Sequence, residues 1–148
     1  MRTVSVIGDG NVFEDSELYR TAVEVGRIIA EKGLVLVCGG LYGVMEGAAK
    51  GAKEAKGLTI GILPDYEPVA NPYIDIKIPT GMGQARNVLV VSSSDLVVAL
   101  GGSYGTLSEI AHAFKLGKRV LGYRTWKIEG IEYYEDREDF LSALRSSL

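Results

Sequence analysis

The chain has 148 residues, enough for a single domain with a full core, 1–148, and too few for two. Apolar residues make up 47% and charged residues 24%, and 16 basic against 19 acidic residues leave a net charge of -3. This lacks the basic excess of a protein that holds nucleic acid by bulk electrostatics, so no nucleic-acid partner is expected. The one cysteine, Cys38, excludes an internal disulfide and fits a reducing, cytoplasmic setting. The opening MRTVSVIGDG carries no apolar run long enough for a signal peptide or a membrane span, so no membrane partner is expected, and the lone His112 argues against a Cys/His metal site.

The β-branched run Thr3 to Ile7 predicts a strand that ends in the tight turn Gly8-Asp9-Gly10. From Asp15 to Lys32, apolar residues at Leu18, Ala22, Val25, Ile28 and Ile29 have helical spacing, with Gly33 as a stop. Leu34 to Val37 is a continuous apolar run, as in a strand buried on both faces. Cys38 to Gly43 is a turn, Val44 to Lys56 an Ala-rich helix, and Leu58 to Leu63 a third strand stopped by Pro64.

After a proline-rich loop to Pro72, Ile74 to Ile78 alternates and predicts a less buried strand. Thr80 to Gly83 is a turn, Gln84 to Val91 a helix, and Asp95 to Leu100 the most apolar late strand. Gly101 to Thr106 leads to a helix from about Leu107 to Leu116, then a strand over Arg119 to Tyr123. Trp126 to Tyr134 reads as a small hairpin turning at Glu129-Gly130, and Asp136 to Leu148 as a final amphipathic helix. Alternating strands and helices define a single Rossmann-like α/β domain, a mainly parallel sheet with helices on both faces. Ligands of such sheets sit beyond the carboxyl ends of the strands, where the glycine clusters of this chain fall.

Three of those clusters carry candidate chemistry. In GGSYGTLSE (Gly101 to Glu109), glycines let an anion approach the backbone, and the helix that follows offers free N–H groups and a positive dipole end. Gly102, Ser103, Tyr104, Gly105 and Thr106 are therefore candidate phosphate ligands, with hydroxyl donors from Ser103 and Thr106. No Gly-Lys-Ser/Thr follows, so this is not a Walker loop. Thr106 and Glu109 have capping-box spacing, which leaves Glu109 open between a helix cap and a site carboxylate. CGGLYGVMEG (Cys38 to Gly47) repeats the logic with Gly39, Gly40 and Gly43, and leaves Glu46 open between cap and site.

In GMGQARN (Gly81 to Asn87), Met82 and Arg86 are candidates. Arg86 stands near a helix start, against the dipole, which suits pairing with an anion or carboxylate; the alternative is a solvent-exposed arginine. Gly8 and Asp9 form only a partial dinucleotide fingerprint, since Phe13 stands where a third glycine belongs. Asp9 suits a ribose hydroxyl or an exocyclic amine. Cys38 reads as a packed residue or a thiol near a helix start, and His112 as a surface or interface residue. Ala48, Ala52 and Ala55 permit close helix packing, within the monomer or across a dimer.

Together and in this order, the three motifs resemble the LOG-like Rossmann superfamily, long labelled "possible lysine decarboxylase", over roughly residues 3 to 123. The resemblance implies nucleoside 5′-monophosphate phosphoribohydrolase chemistry, cleavage of an N-glycosidic bond, with Glu109 and Arg86 in the catalytic positions. Departures are plain: Gly101 and Ser103 replace a Pro and a Gly of the PGGxGTxxE signature, Gly83-Gln84 replaces Met-His before Arg86, and Asn87 replaces Lys. The GMGQARN form is closer to a branch resembling molybdenum-cofactor carrier proteins, which implies a non-catalytic carrier or sensor of a phosphorylated cofactor such as molybdopterin. No pyridoxal-phosphate lysine context supports a decarboxylase. The expected partner is a phosphorylated small molecule, with no cofactor required, and the expected state is a homodimer or higher homo-oligomer. A purely structural role ranks last, because the glycine motifs would cost unfolded-chain entropy for no return.

Overall fold

The computed structural model describes all residues, 1–148. Its centre is a seven-stranded sheet in the order β4-β3-β2-β1-β5-β6-β7. The strands are β1 (Thr3–Gly8), β2 (Val35–Cys38), β3 (Thr59–Leu63), β4 (Ile76–Pro79), β5 (Leu96–Leu100), β6 (Val120–Tyr123) and β7 (Glu132–Tyr134). Every neighbouring pair is parallel. The chain runs outward from β1 through β4 and then returns to β5 beside β1. The carboxyl ends of β1 and β5 therefore flank the point where the winding reverses.

Helices α1 (Glu17–Glu31), α2 (Val44–Glu54) and α5 (Arg137–Ser147) cover one face. A 3-10 turn over Gly83–Arg86 running into α3 (Asn87–Ser92), together with α4 (Tyr104–Lys115), covers the other. Val4, Leu36, Leu96 and Val98 pack under the first group, and Ile7, Val37, Val97 and Ala99 under the second. The central strands are thus buried on both faces, which explains their unbroken apolar runs. Ser16 and Asp136 cap α1 and α5, accepting from the N–H groups of Tyr19 and Asp139. No helix is long and apolar enough to cross a membrane.

Between α1 and α2 the contact is backbone against backbone. A Cβ at Gly26 would lie 1.8 Å from the Ala48 carbonyl oxygen, and one at Gly51 1.8 Å from that of Val23. The small residues Ala48 and Ala52 are buried in this seam, so their close packing serves the monomer.

Three expectations change. Residues 126–134 are not a hairpin: they form a crossover with Gly130 at φ 98, and β7 adds in parallel beside β6. A parallel neighbour needs such a crossover, whereas a tight turn yields only an antiparallel one. Helix α4 starts at Tyr104, three residues before the apolar periodicity suggests, so Gly105 and Thr106 belong to its first turn. The edge strand β4 is shifted to Ile76–Pro79 and is exposed along its length, while Ile74 is buried in the loop before it.

Candidate functional site

The turns after β1, β2 and β5 and the 3-10 turn before α3 enclose a cleft of about 410 Å3 at the carboxyl edge of the sheet. Its floor is the end of β1, where Gly8 passes under β5: a Cβ there would lie 2.1 Å from the Leu100 carbonyl oxygen. One wall is the start of α4. Ser103 is its N-cap but makes no side-chain capping bond, and the first helical bond runs from the Leu107 N–H to the Ser103 carbonyl at 3.0 Å. The N–H groups of Tyr104, Gly105 and Thr106 therefore have no carbonyl partner, and all three residues line the cleft. This is the arrangement that receives an anion at a helix start.

Glu109 lies further along the same helix. With Ser103 as N-cap, a capping-box acid would stand at position 106, so the Thr106–Glu109 capping reading fails. Glu109 is buried, lines the cleft and makes no hydrogen bond. Burial pushes its carboxyl up to about 8, with the Arg86 guanidinium pulling the other way. The helical rise places it roughly 5–7 Å along the axis from the free N–H groups.

Arg86 is only 5% exposed, which removes the solvent-exposed reading. Its Nε donates to the Ile62 carbonyl at 2.9 Å, Nη2 to the Gly39 carbonyl at 3.4 Å, and Nη1 to Asn87 Oδ1. The side chain thus ties together the ends of β2, β3 and α3 while its charge faces Glu109. Its lowered pKa comes first from burial, with Glu109 opposing. Asn87 Nδ2 reaches Gln84 Oε1 at 3.5 Å and Ser108 Oγ at 3.3 Å, so it links this network to α4.

Of the residues singled out in the sequence, Gly8, Asp9, Gly39, Arg86, Ser103, Tyr104, Gly105, Thr106 and Glu109 meet at this cleft. Gly40, Gly43, Met82 and Gly102 do not line it. Gly40 and Gly43 are buried, where a Cβ would run into Leu63 and into the backbone of Asp9 and Gly10. Met82 is exposed, and Gly102 faces the opposite side of its loop. Glu46 accepts from the Tyr19 hydroxyl at 2.6 Å outside the cleft. Burial pushes the Cys38 thiol up to about 12, so it is a packed side chain and not a nucleophile.

Gly10, Asn11, Leu41, Met45, Gln84 and Asn87 line the cleft although sequence reasoning did not assign them to a site. Gln84 and Asn87 flank Arg86 at helical spacing, a signal available in GMGQARN. Asn71, buried in the proline-rich loop, donates to the Leu41 carbonyl at 2.6 Å and takes the Gly40 carbonyl on its N–H at 2.9 Å. Nothing in its local sequence marks it as the clamp on the glycine turn.

Fold and site together define a parallel α/β domain with a helix start bearing free N–H groups and a buried acid in one cleft. Residues 1–145 match the family model described as the SLOG cluster4 family, and the chain belongs to that family. An uncharacterized protein of Archaeoglobus fulgidus is 50% identical over 145 residues, 97% of this chain and 95% of that one. A cytokinin riboside 5′-monophosphate phosphoribohydrolase of Mycobacterium tuberculosis is 34% identical over 106 residues, 69% of this chain and 57% of the enzyme. The match therefore spans little more than half of that enzyme's length.

Among solved structures, the molybdenum cofactor binding protein of Rippkaea orientalis superposes with a TM-score of 0.86 at 36% identity, covering 99% of this chain and 96% of that one. The molybdenum cofactor carrier protein of Chlamydomonas reinhardtii gives 0.85 at 34% identity, covering 99% and 98%.

Proposed function

We propose that the cleft binds a phosphorylated, nucleotide-like small molecule, with the phosphate on the Tyr104, Gly105 and Thr106 N–H groups, and that Glu109 acts on the N-glycosidic bond of that ligand. One observation carries this reading. The Glu109 side chain is largely buried, yet its carboxyl opens into the cleft with no hydrogen bond inside the protein, about one sugar's length from free helix-start donors. A carboxyl held open to the cleft beside Arg86 suits this role, because an oxocarbenium-like transition state gains from a fixed carboxylate beside it. Arg86 is then a positioning residue: it ties together the ends of β2, β3 and α3 beside the cleft and favours the ionised form of Glu109. The likeness to a phosphoribohydrolase supports the same chemistry.

The test is incubation with AMP and cytokinin riboside monophosphates, with release of free base as the readout. Turnover should rise with pH toward about 8 as Glu109 ionises, and Glu109→Gln should lose about 100-fold or more. Absence of base release from all of these substrates removes the hydrolase reading.

The second reading keeps the ligand and omits the reaction: a carrier of a phosphorylated pterin-type cofactor. The full-length likeness to molybdenum-cofactor proteins favours it over the partial match to the enzyme. A neutral Glu109 would then serve as a hydrogen-bond donor to the heterocycle. A ligand that stabilises the protein and dissociates chemically unchanged supports this reading; a ligand recovered with its glycosidic bond cut overturns it.

A further inference from the structure

The loop Gly101–Ser103 has a second open cleft on its other side, about 530 Å3, which the proposed function leaves unused. Gly101, Gly102, Arg124, Trp126 and Lys127 line it, and Asp9 borders both clefts. The segment after β6 holds the carbonyls of the loop: Thr125 Oγ1 donates to the Gly101 carbonyl at 2.6 Å and Trp126 Nε1 to the Ser103 carbonyl at 2.9 Å. The N–H groups of Gly102 and Ser103 are left without partners. Asp9 Oδ1 meanwhile accepts from its own loop, from the Asn11 N–H at 2.8 Å.

Two cations face this cleft with weak partners. Lys127 forms no ion pair; its Nζ rests 4.7 Å from the centre of the Tyr133 ring. Arg124 Nε donates to the Glu135 carbonyl at 3.1 Å and the guanidinium lies 5.2 Å from the centre of the Tyr123 ring, but its ion pairs are long and solvent-exposed, 3.6 Å to Glu17 and 3.8 Å to Glu135. Its backbone is held in the left-handed region at φ 49, a conformation that costs free energy for a non-glycine residue and that aims the chain across the end of β6.

We propose that the ligand carries a second phosphoryl group, and that this group crosses the Gly102–Ser103 ridge to sit against Arg124 and Lys127. The inference rests on the proposed phosphate position at the start of α4. With the ribose side toward Glu109, an extension from the phosphate over the Gly102–Ser103 ridge enters this second cleft. The ligand class thereby extends from nucleoside monophosphates to a nucleoside diphosphate or a pyrophosphate-linked derivative, which the second cleft favours.

Calorimetric titration of the protein with AMP and with ADP tests this. ADP should bind about tenfold more tightly than AMP, the scale of added charge-assisted contacts. Arg124→Gly/Lys127→Ala should abolish that preference and leave AMP affinity within about twofold, glycine being the residue that suits φ 49. Lys127→Ala alone, which removes only the contact with Tyr133, should reduce the preference about threefold and serves if the double variant does not fold.

Equal affinity for AMP and ADP in the unmodified protein overturns the subsite and leaves the proposed function standing. A preference that survives in the variants overturns it as well, by assigning the gain to net charge. Silence toward both nucleotides removes the subsite together with the nucleotide reading of the first cleft.

Discussion

The two glycine-rich turns, Cys38–Gly43 after β2 and Gly101–Thr106 after β5, look alike in sequence and differ in what surrounds their last glycine. In the first, glycine is demanded by neighbours. A Cβ at Gly43 would lie 2.3 Å from the Asp9 carbonyl oxygen and 2.6 Å from the Gly10 carbonyl carbon, and one at Gly39 2.9 Å from Arg86 Nη2. In the second, Gly105 faces open space: its nearest neighbours would be the side-chain ends of Asn87 and Gln84, each 4.0 Å away. The first turn is pressed into the protein throughout; in the second, Gly101 and Gly102 are also hemmed in, by Leu18 at 2.6 Å and Thr106 at 2.2 Å, and Gly105 alone stands clear. Glycine content alone does not separate them; what stands against each Cα does.

The contrast can be broken most forcefully at Gly43. Gly43→Ala should lower unfolding stability by on the order of 3 kcal/mol, because the backbone it meets cannot swing aside and φ 67 is already strained for alanine. Chemical denaturation reads this, and a loss under about 1 kcal/mol would show that the turn yields.

Glu109 gives the next effect. Between its ordinary value of 4.5 and about 8, the folded protein keeps a proton that the unfolded chain has released, so stability falls as pH rises through that window. Glu109→Gln carries no such penalty. It should unfold at a higher temperature than the unmodified protein at pH 9, by a few kcal/mol of stability at most, with the gap closing by pH 4. A gap independent of pH would mean that Glu109 titrates normally.

Gly105→Ala sharpens the comparison from the other side. Alanine in the first turn of α4 should leave stability unchanged or raise it by up to about 1 kcal/mol, while its methyl group enters the cleft and weakens AMP binding about tenfold. Unaltered binding would place the anion elsewhere. Ser103→Ala should show the smallest change. Its hydroxyl makes no capping bond, so the loss should stay below about 0.5 kcal/mol rather than the usual ~1 for a cap, with a few-fold loss of ligand affinity.

Strand order in the chain and the sheet edge that bears the glycine turns were legible from apolar runs and glycine placement, because each strand end must turn within a few residues; the pairing of Arg86 with Glu109 came from the family resemblance. Other features depended on contacts distant in sequence. The Thr106–Glu109 spacing satisfies a capping box on paper, but the start of α4 is set by Ser103, and a shift of three residues turns a cap into a cleft acid. Arg86 is buried because the carbonyls of Gly39, just after β2, and of Ile62 in β3 receive it, 47 and 24 residues earlier. β7 could pair in parallel only once β6 offered a free edge, which local turn chemistry at Gly130 does not disclose.

The seam between α1 and α2, where Gly26 and Gly51 bring two backbones together, sets a direction for adaptation. With no side chain between them to shorten, these helices cannot move closer, and any added atom forces them apart. The turns after β1 and β2, which precede these helices, are therefore held in fixed relation. A descendant of this chain that came to accept a bulkier molecule would find that side closed to change. Room would have to come from the opposite rim, by lengthening or trimming the residues that follow β5 and β6. Selection for new ligands should therefore leave its record between positions 101 and 131, and leave the helical pair nearly untouched.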